Sequence, residues 1–399
     1  SLLENTAITL GRLGLVAPDV GAPMLDGFVL SWCVCLRSIR DDIEKEHAFQ
    51  GLSSILGPIP DHDAALDLLL NWAEDRDTQA TPVAVGHRLV HGGEGCDCSR
   101  VVTPALEVRL KQLVPLAPLH LPHNLAGITA VRRQRPDLPQ VACFDTAFHH
   151  GLSRVARLTG LPRRFEQEGI RRYGFHGLSY EYVIGEVRRR DGDAAAEERI
   201  IVAHLGNGAS MAAIRNGHSV ETTMGFSTLA GLPMGTRPGD LDPGVLLHLL
   251  IEKQMTPDAL QQVLYTESGL LGLSGLSRNM ADLLARRDVP EAAEAIDFFS
   301  HHARRHLAGL TAALGGLDRL IFTGGIGANS PEIRASICEG LDYLGLTLDA
   351  ERNAGQQHLI STDDSGVLIE AFKTDEELVI ACHTQNILSA SGKENVRAH

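Results

Sequence analysis

The stretch Ile200-Ile201-Val202-Ala203-His204-Leu205-Gly206-Asn207-Gly208-Ala209-Ser210-Met211-Ala212-Ala213-Ile214-Arg215-Asn216-Gly217 decides the architecture. Ile200 to Leu205 is a short apolar run ending in the Gly206-Asn207-Gly208 loop, which predicts a strand entering a tight turn. Ser210 to Arg215 is a second run, and Asn216-Gly217 after it is a strong hairpin signal. The predicted order is strand, loop, strand, turn, strand. Glycines at a strand end let the backbone approach a phosphate and aim N–H donors at it, so His204 to Ser210 is a candidate phosphate loop. An ordinary tight turn is the competing reading. No GxxxxGK[ST] motif is present, and Gly324-Gly325-Ile326-Gly327 is not a GxGxxG fingerprint.

Outward from this stretch, Ile296, Phe299, Ala303, Leu307, Leu310 and Leu314 recur at helical spacing. Arg319 to Phe322 then reads as a strand running into a Gly324-Gly325 loop. Ser330-Pro331 and Asp242-Pro243 each read as an N-cap followed by the first helical residue. Strand-like runs alternate with amphipathic helical stretches and no tandem repeat stands out, so the chain is predicted to be a layered α/β protein.

With 399 residues, 44% of them hydrophobic, the chain can bury a large core, and its length favours two domains over one. The 36 basic and 50 acidic residues leave a formal charge of −14, which argues against a nucleic-acid or anionic-membrane partner. Anionic ligands must therefore be held by local basic residues. The apolar run Gly27 to Leu36 covers about ten residues, half of the roughly 20 that a membrane span needs, and reads as a buried strand of a cytoplasmic protein. Seven cysteines fit reduced thiols better than a disulfide framework. Cys96 and Cys98 lie close to His91 and Glu94, but their C-x-C spacing is not that of a zinc site. Cys33 and Cys35 alternate with Trp32 and Val34 as in a buried strand.

Two arginines carry more chemical information. Arg88 lies in Gly86-His87-Arg88-Leu89-Val90-His91-Gly92-Gly93, and Arg237 lies in Gly235-Thr236-Arg237-Pro238-Gly239-Asp240. A guanidinium among glycines and apolar residues suits a planar carboxylate or a phosphate, with a structural salt bridge as the competing role. Asp145 ends the apolar run before Thr146-Ala147-Phe148-His149, where a carboxylate needs a metal or an arginine as partner. His176, in Tyr173-Gly174-Phe175-His176-Gly177, sits in a loop suited to presenting a side chain to a ligand. His301 and His302 read instead as residues of a helix surface or a helix-packing face.

Taken together and in this order, Gly86 to Glu94, Leu116 to Asn124, Phe144 to His149, Arg171 to Gly177, His204 to Ser210, Met234 to Gly239, Phe322 to Asn329 and Asp375 to Ala381 resemble the acetate kinase family. The resemblance runs from about Glu46 to the C-terminal end. It implies two related α/β domains of the sugar kinase/Hsp70/actin (RNase H-like) type with an interdomain active-site cleft. The first would comprise residues 1–145 plus about 376–399, the second 146–375 with the nucleotide site and the interface of a homodimer. It also implies Mg²⁺- or Mn²⁺-dependent, direct in-line phosphoryl transfer from ATP to acetate or another short carboxylate, with ADP as product. Under it, Arg88 and Arg237 hold the carboxylate and the transferring phosphoryl group, His176 bonds that group in the transition state, and Asp145 orients the carboxylate or the metal. Glu376 holds the metal, with Glu377 as the fallback. His204, Asn207 and Gly208 lie at the nucleotide phosphates, and Asn279, Gly324, Gly325, Ile326 and Asn329 lie toward the adenosine. Val90, Leu119, His120, Phe175 and Thr228 line a slot for a methyl group, which propionate could also enter.

The family's usual opening strand and Asn-x-Gly-Ser-Ser-Ser-x-Lys loop have no counterpart between Ser1 and Asp41. A shifted frame or wrong start is one explanation; the other is divergence toward a nucleotide-binding relative with impaired catalysis. Smaller departures are Asn279-Met280-Ala281 in place of a common Asp-x-Arg, Leu121 and Ala328 in place of asparagine and glutamate, Tyr180 in place of histidine, and Thr228 in place of proline.

Overall fold

The computed structural model describes residues 83–397, Leu119 excepted, and the side chains of that span up to residue 390. The buried strand read at Gly27 to Leu36, with Cys33 and Cys35, and the slot residue Leu119 lie outside the described residues. The described chain forms two compact units, residues 83–147 with 375–397, and residues 148–374. Among the described residues no helix is long and apolar enough to cross a membrane.

In the first unit, β1 (Val85–Leu89) runs parallel to β3 (Gln140–Phe144), and the two-residue β2 (Arg100–Val101) pairs antiparallel with the other edge of β3. Every residue of β3 is buried, as befits a central strand covered on both faces. Helix α1 (Pro104–Gln112) starts where Thr103 Oγ1 accepts the Leu106 N–H and Pro104 takes the first helical position. Helix α2 (Leu121–Gln134) and the C-terminal helix Glu376–Arg397 both pack against β1.

The second unit is built on the quoted stretch. Its sheet has the order β6-β5-β4-β7-β8, with β4 (Ile200–Leu205), β5 (Ala209–Arg215) and β6 (His218–Thr222) as an antiparallel meander. Strands β7 (Arg319–Thr323) and β8 (Leu368–Ala371) run parallel to β4. This order and these directions are those of an RNase H-like sheet. Asn216 and Gly217 turn the β5–β6 hairpin with φ of 53° and 73°, the left-handed pair that matches strand twist. Ile200, Ile201, Val202 and Ala203 are all fully buried, so both faces of β4 are covered. Helix α3 (Gly177–Asp191) packs Tyr180, Val183, Ile184 and Val187 onto the face of Ile200 and Val202. Helix α4 (Pro243–Ile251) begins at the Asp242 cap, and the long α5 (Pro290–Leu314) buries all six residues read at helical spacing.

Two local expectations need correction. Gly324-Gly325 is not a loop: helix α6 (Gly324–Asn329) begins directly after β7, because Gly324 at φ 76° redirects the chain within one residue. A Cβ there would stand 2.6 Å from the Leu205 carbonyl oxygen, so the turn requires glycine. Ser330 occupies the N-cap position of α7 (Pro331–Cys338), yet its side chain caps nothing and its hydroxyl instead donates to Glu332 at 3.3 Å.

Candidate active site

In the first unit, the ends of β1 and β3 and the start of the C-terminal helix bring three charged residues together. Arg88 Nε donates to both Asp145 oxygens at 3.0 and 3.2 Å, and its Nη2 donates to Oδ2 at 2.9 Å. Its Nη1 lies 2.6 Å from Glu376 Oε2. Asp145 and Glu376 are 1% and 2% exposed, so burial of these carboxylates is offset by the guanidinium between them. Arginine is thus the partner that the buried Asp145 required. Of the two adjacent glutamates, Glu376 faces Arg88, whereas Glu377 lines an apolar cavity of about 730 Å³ with Val83, Val85, Ile380 and Leu388. Burial there, followed by the neighbouring Glu376 charge, pushes the Glu377 carboxyl up to about 7.

Around this cluster the backbone is tied by side chains. Asn124 accepts the N–H of buried Val90 at 3.1 Å, and Thr146 accepts that of Gly92 at 3.1 Å. His120, half-buried, stands at the N-cap position of α2. His91, Glu94, Cys96 and Cys98 form no metal group: among the described residues no three His, Cys, Asp or Glu side chains are arranged to share an ion.

In the second unit, the site is organised by the Gly206–Gly208 turn between β4 and β5. A Cβ on Gly208 would lie 2.9 Å from Arg237 Nη2 and 3.3 Å from His176 Nε2. Two nitrogen-bearing tips therefore converge on one stretch of bare backbone. Arg237 is 6% exposed and its Nη1 donates to the carbonyl of Thr228 at 2.8 Å. Thr228, read as lining the slot, anchors the arginine through its main chain. Asn207 accepts the Gly235 N–H at 3.0 Å, which ties the arginine loop to the glycine turn.

His176 takes the N-cap position of α3 in a left-handed conformation, φ 59°. Such a φ is uncommon outside glycine and is held here by surrounding bonds. Its Nδ1 lies 2.8 Å from Ser210 Oγ, and its ring stacks on His204 at 4.4 Å between centroids. His204 Nδ1 in turn meets Ser179 Oγ at 2.7 Å. The loop before His176 rests on His149, whose Nε2–H donates to the Phe175 carbonyl at 3.0 Å while Nδ1 accepts from Ser219 Oγ at 2.8 Å. A carbonyl can only accept, so this tautomer follows from the geometry. Gly174, at φ 77°, passes so close that a Cβ would stand 2.6 Å from the His149 ring. Burial pulls the His149 pKa down to about 4.

The residues read toward adenosine lie on two short helices. Asn279 is exposed, and its Oδ1 caps the helix Met280–Leu284 through the Ala281 N–H at 3.0 Å. Gly324, Gly325, Ile326 and Asn329 all belong to α6, where Asn329 Nδ2 donates to the Gly325 carbonyl at 2.8 Å. Beneath α6, the fully buried Arg334 of α7 donates to the Gly327 carbonyl at 2.9 Å and to the side-chain and main-chain oxygens of Asn353 at 2.7 and 3.1 Å. Burial lowers its pKa.

Motif reading missed the positioning residues His149, Ser179, Tyr180, Ser210, Arg334 and Asn353. Ser210 closed a quoted motif and His149 ended another, but nothing in their spacing says which side chain each would hold.

Comparison with known proteins gives this geometry a family. A sequence profile described as the Acetokinase family matches residues 34–382, beginning upstream of the Glu46 start read from the motifs. The chain is 51% identical over 324 residues to an acetate kinase of Rhodopseudomonas palustris (strain ATCC BAA-98 / CGA009), covering 81% of each chain. An acetate kinase of Clostridium botulinum (strain Hall / ATCC 3502 / NCTC 13319 / Type A) is 43% identical over 340 residues, 83% of this chain and 86% of that one. The crystal structure of Porphyromonas gingivalis acetate kinase superposes with a TM-score of 0.77 at 36% identity, covering 83% of this chain and 86% of that one. A propionate kinase from Francisella tularensis subsp. tularensis SCHU S4 gives 0.78 at 35% identity, covering 82% and 84%. The fold is of the sugar kinase/Hsp70/actin type. The chain belongs to the acetokinase family.

Proposed function

We propose that this chain transfers the γ-phosphoryl group of ATP directly and reversibly to acetate, giving acetyl phosphate and ADP. The convergence of Arg237 Nη2 and His176 Nε2 on Gly208 carries this reading. A guanidinium and an imidazole beside bare backbone at a strand end suit the equatorial oxygens, where charge builds during transfer. A carboxylate oxygen attacks phosphorus in line while the bond to the β–γ bridging oxygen breaks. No proton changes hands, so the reaction requires no general base. Asn207, Gly208 and His204 would serve the nucleotide phosphates, and Asn279, Gly324, Gly325, Ile326 and Asn329 the adenosine.

Arg88 would hold the carboxylate or the acyl phosphate, with Asp145 fixing its direction. Two buried carboxylates around one guanidinium leave the cluster with one net negative charge, and their oxygens suit a hard divalent cation. Glu376, with Asp145, would hold Mg²⁺ or Mn²⁺. Such an ion, when bound, neutralises phosphate charge. Phe175 and Thr228 of the second unit would meet the methyl group. One methylene changes discrimination by only about 1–3 kcal/mol, so propionate is the second reading, favoured by the propionate kinase among the structural neighbours. Homodimer formation and residence in the cytoplasm belong to the same proposal. The first is supported by the apolar exposed helix α4, the second by the unpaired thiols of Cys96, Cys98, Cys143, Cys338 and Cys382.

The test is hydroxylamine trapping of acyl phosphate with ATP, Mg²⁺ and acetate, propionate or butyrate in turn. Acyl hydroxamate should form with acetate and propionate, and Arg237→Ala should lower turnover by about 10²- to 10³-fold. Measurable ATP binding without any hydroxamate would replace this reading with a silent nucleotide-binding relative.

A further inference from the structure

Ser210 Oγ lies between two other polar atoms. His176 Nδ1 is 2.8 Å away on one side, and the Tyr180 hydroxyl bonds it on the other. Tyr180 is fully buried, and its phenol must satisfy its proton within the protein. Ser210 has a single proton to share between two neighbours. The phenol is the more acidic hydroxyl and the stronger donor, so Tyr180 donates to Ser210 and Ser210 donates onward to Nδ1. An imidazole that accepts at Nδ1 carries its proton at Nε2. Nε2 is also the atom that approaches Gly208 beside Arg237.

We infer that Tyr180 and Ser210 form a hydroxyl relay that fixes His176 as the neutral Nε2–H tautomer, so that it meets the transferring phosphoryl group as a hydrogen-bond donor. The opposite arrangement would aim the Nε2 lone pair at the phosphoryl oxygens and repel them. Neutrality also suits the surroundings. The His204 ring stacks 4.4 Å from His176, nearly parallel at 24°, and Arg237 brings a full positive charge to the same backbone. A further cation there would be repelled. Tyr180 and Ser210 are positioning residues, since neither is required to touch substrate. Their roles join two features that motif reading kept apart, the start of β5 and the first turn of α3.

This inference rests on the phosphoryl-binding role proposed for His176, but its primary test does not need activity. ¹⁵N-histidine-labelled full-length protein is examined without nucleotide at neutral pH, and the His176 ring signals are identified by their loss in His176→Gln. The expected pattern is an unprotonated Nδ1 and a protonated Nε2. In Tyr180→Phe and in Ser210→Ala this pattern should give way to a tautomer mixture. In both, kcat should fall by about 10- to 100-fold, the range for removing a group that orients a functional histidine, while KM for ATP and acetate stays within about twofold. A wild-type His176 protonated at Nδ1, alone or together with Nε2, overturns the inference without recourse to any variant. So does a Tyr180→Phe protein whose tautomer and kcat match wild type. A wild-type chain with the Nε2–H tautomer but no acyl transfer would instead remove the proposed function and leave the relay standing.

Discussion

His149 shows how a side chain remote from any substrate sets the conformation of one proposed to touch it. Its two nitrogens are committed to Ser219 and to the carbonyl of Phe175, the residue preceding His176. Burial holds its pKa at about 4, against an ordinary 6.5, the Phe175 carbonyl only partly opposing this. The folded protein therefore refuses a proton that the unfolded chain accepts below pH 6.5. Stability should be unaffected by this group above pH 6.5 and should fall as the pH drops from 6.5 toward 4. By pH 4.5 the loss should reach about 2–3 kcal/mol. His149→Gln, which keeps a donor toward Phe175 and cannot ionise in this range, should be less stable than wild type at pH 7 and lose that part of the acid slope. Urea titrations of both proteins at pH 7 and 4.5 decide it, equal slopes being the contrary result. Sequence disclosed the candidates Arg88, Asp145, His176 and Arg237, because charged groups set among glycines and apolar residues are unusual. It could not disclose His149 or Ser210 as supports, because their partners are 26 and 34 residues away and are chosen by packing.

Among elements, the meander of β4, β5 and β6 was legible because turn chemistry is local: Asn216 and Gly217 specify the left-handed turn in two residues. Helix α6 was not. Three glycines lower helix propensity and the first two read as a loop, yet the chain coils there because α7 lies beneath it and Arg334 reaches the Gly327 carbonyl in its last turn. A buried cation near the end of a helix satisfies a carbonyl that has no partner within the helix and complements its dipole. Replacing Arg334 with methionine would leave the Gly327 carbonyl and Asn353 Oδ1 without this donor, while the Asn353 main-chain oxygen keeps the Gln356 N–H at 3.1 Å. The expected cost is about 2 kcal/mol or more, at roughly 1–3 kcal/mol for each of the two buried groups left unpaired. Because α6 carries the proposed adenosine contacts, KM for ATP should rise while KM for acetate stays near wild type. Unfolding midpoints and the two KM values test this together. An unchanged midpoint with equal KM shifts for both substrates would detach Arg334 from the nucleotide side.

At the scale of the whole molecule, family membership was readable because several short motifs recur in a fixed order, which chance does not reproduce. Assembly leaves a fainter trace. Helix α4 reads Pro243-Gly244-Val245-Leu246-Leu247-His248-Leu249-Leu250-Ile251, and none of its nine residues is buried within the chain. Leu247 and Ile251 are 57% and 58% exposed and stand one turn apart on the same face. Val245 and Leu241 add further exposed apolar surface nearby in sequence. Single exposed leucines are ordinary, but among the described residues Leu246, Leu249 and Leu250 half-bury one face of this helix while Leu247 and Ile251 leave a second apolar face open. In the homodimer proposed above a second copy would cover that face, at roughly 1.5–3 kcal/mol for each large side chain fully removed from water. Leu247→Glu with Ile251→Glu should therefore shift the mass measured by light scattering from dimer toward monomer. The folded content by far-ultraviolet circular dichroism should be preserved, since neither side chain contributes to the chain's own core. A dimer mass unchanged at low micromolar concentration would move the interface elsewhere, and a wild-type monomer would remove it.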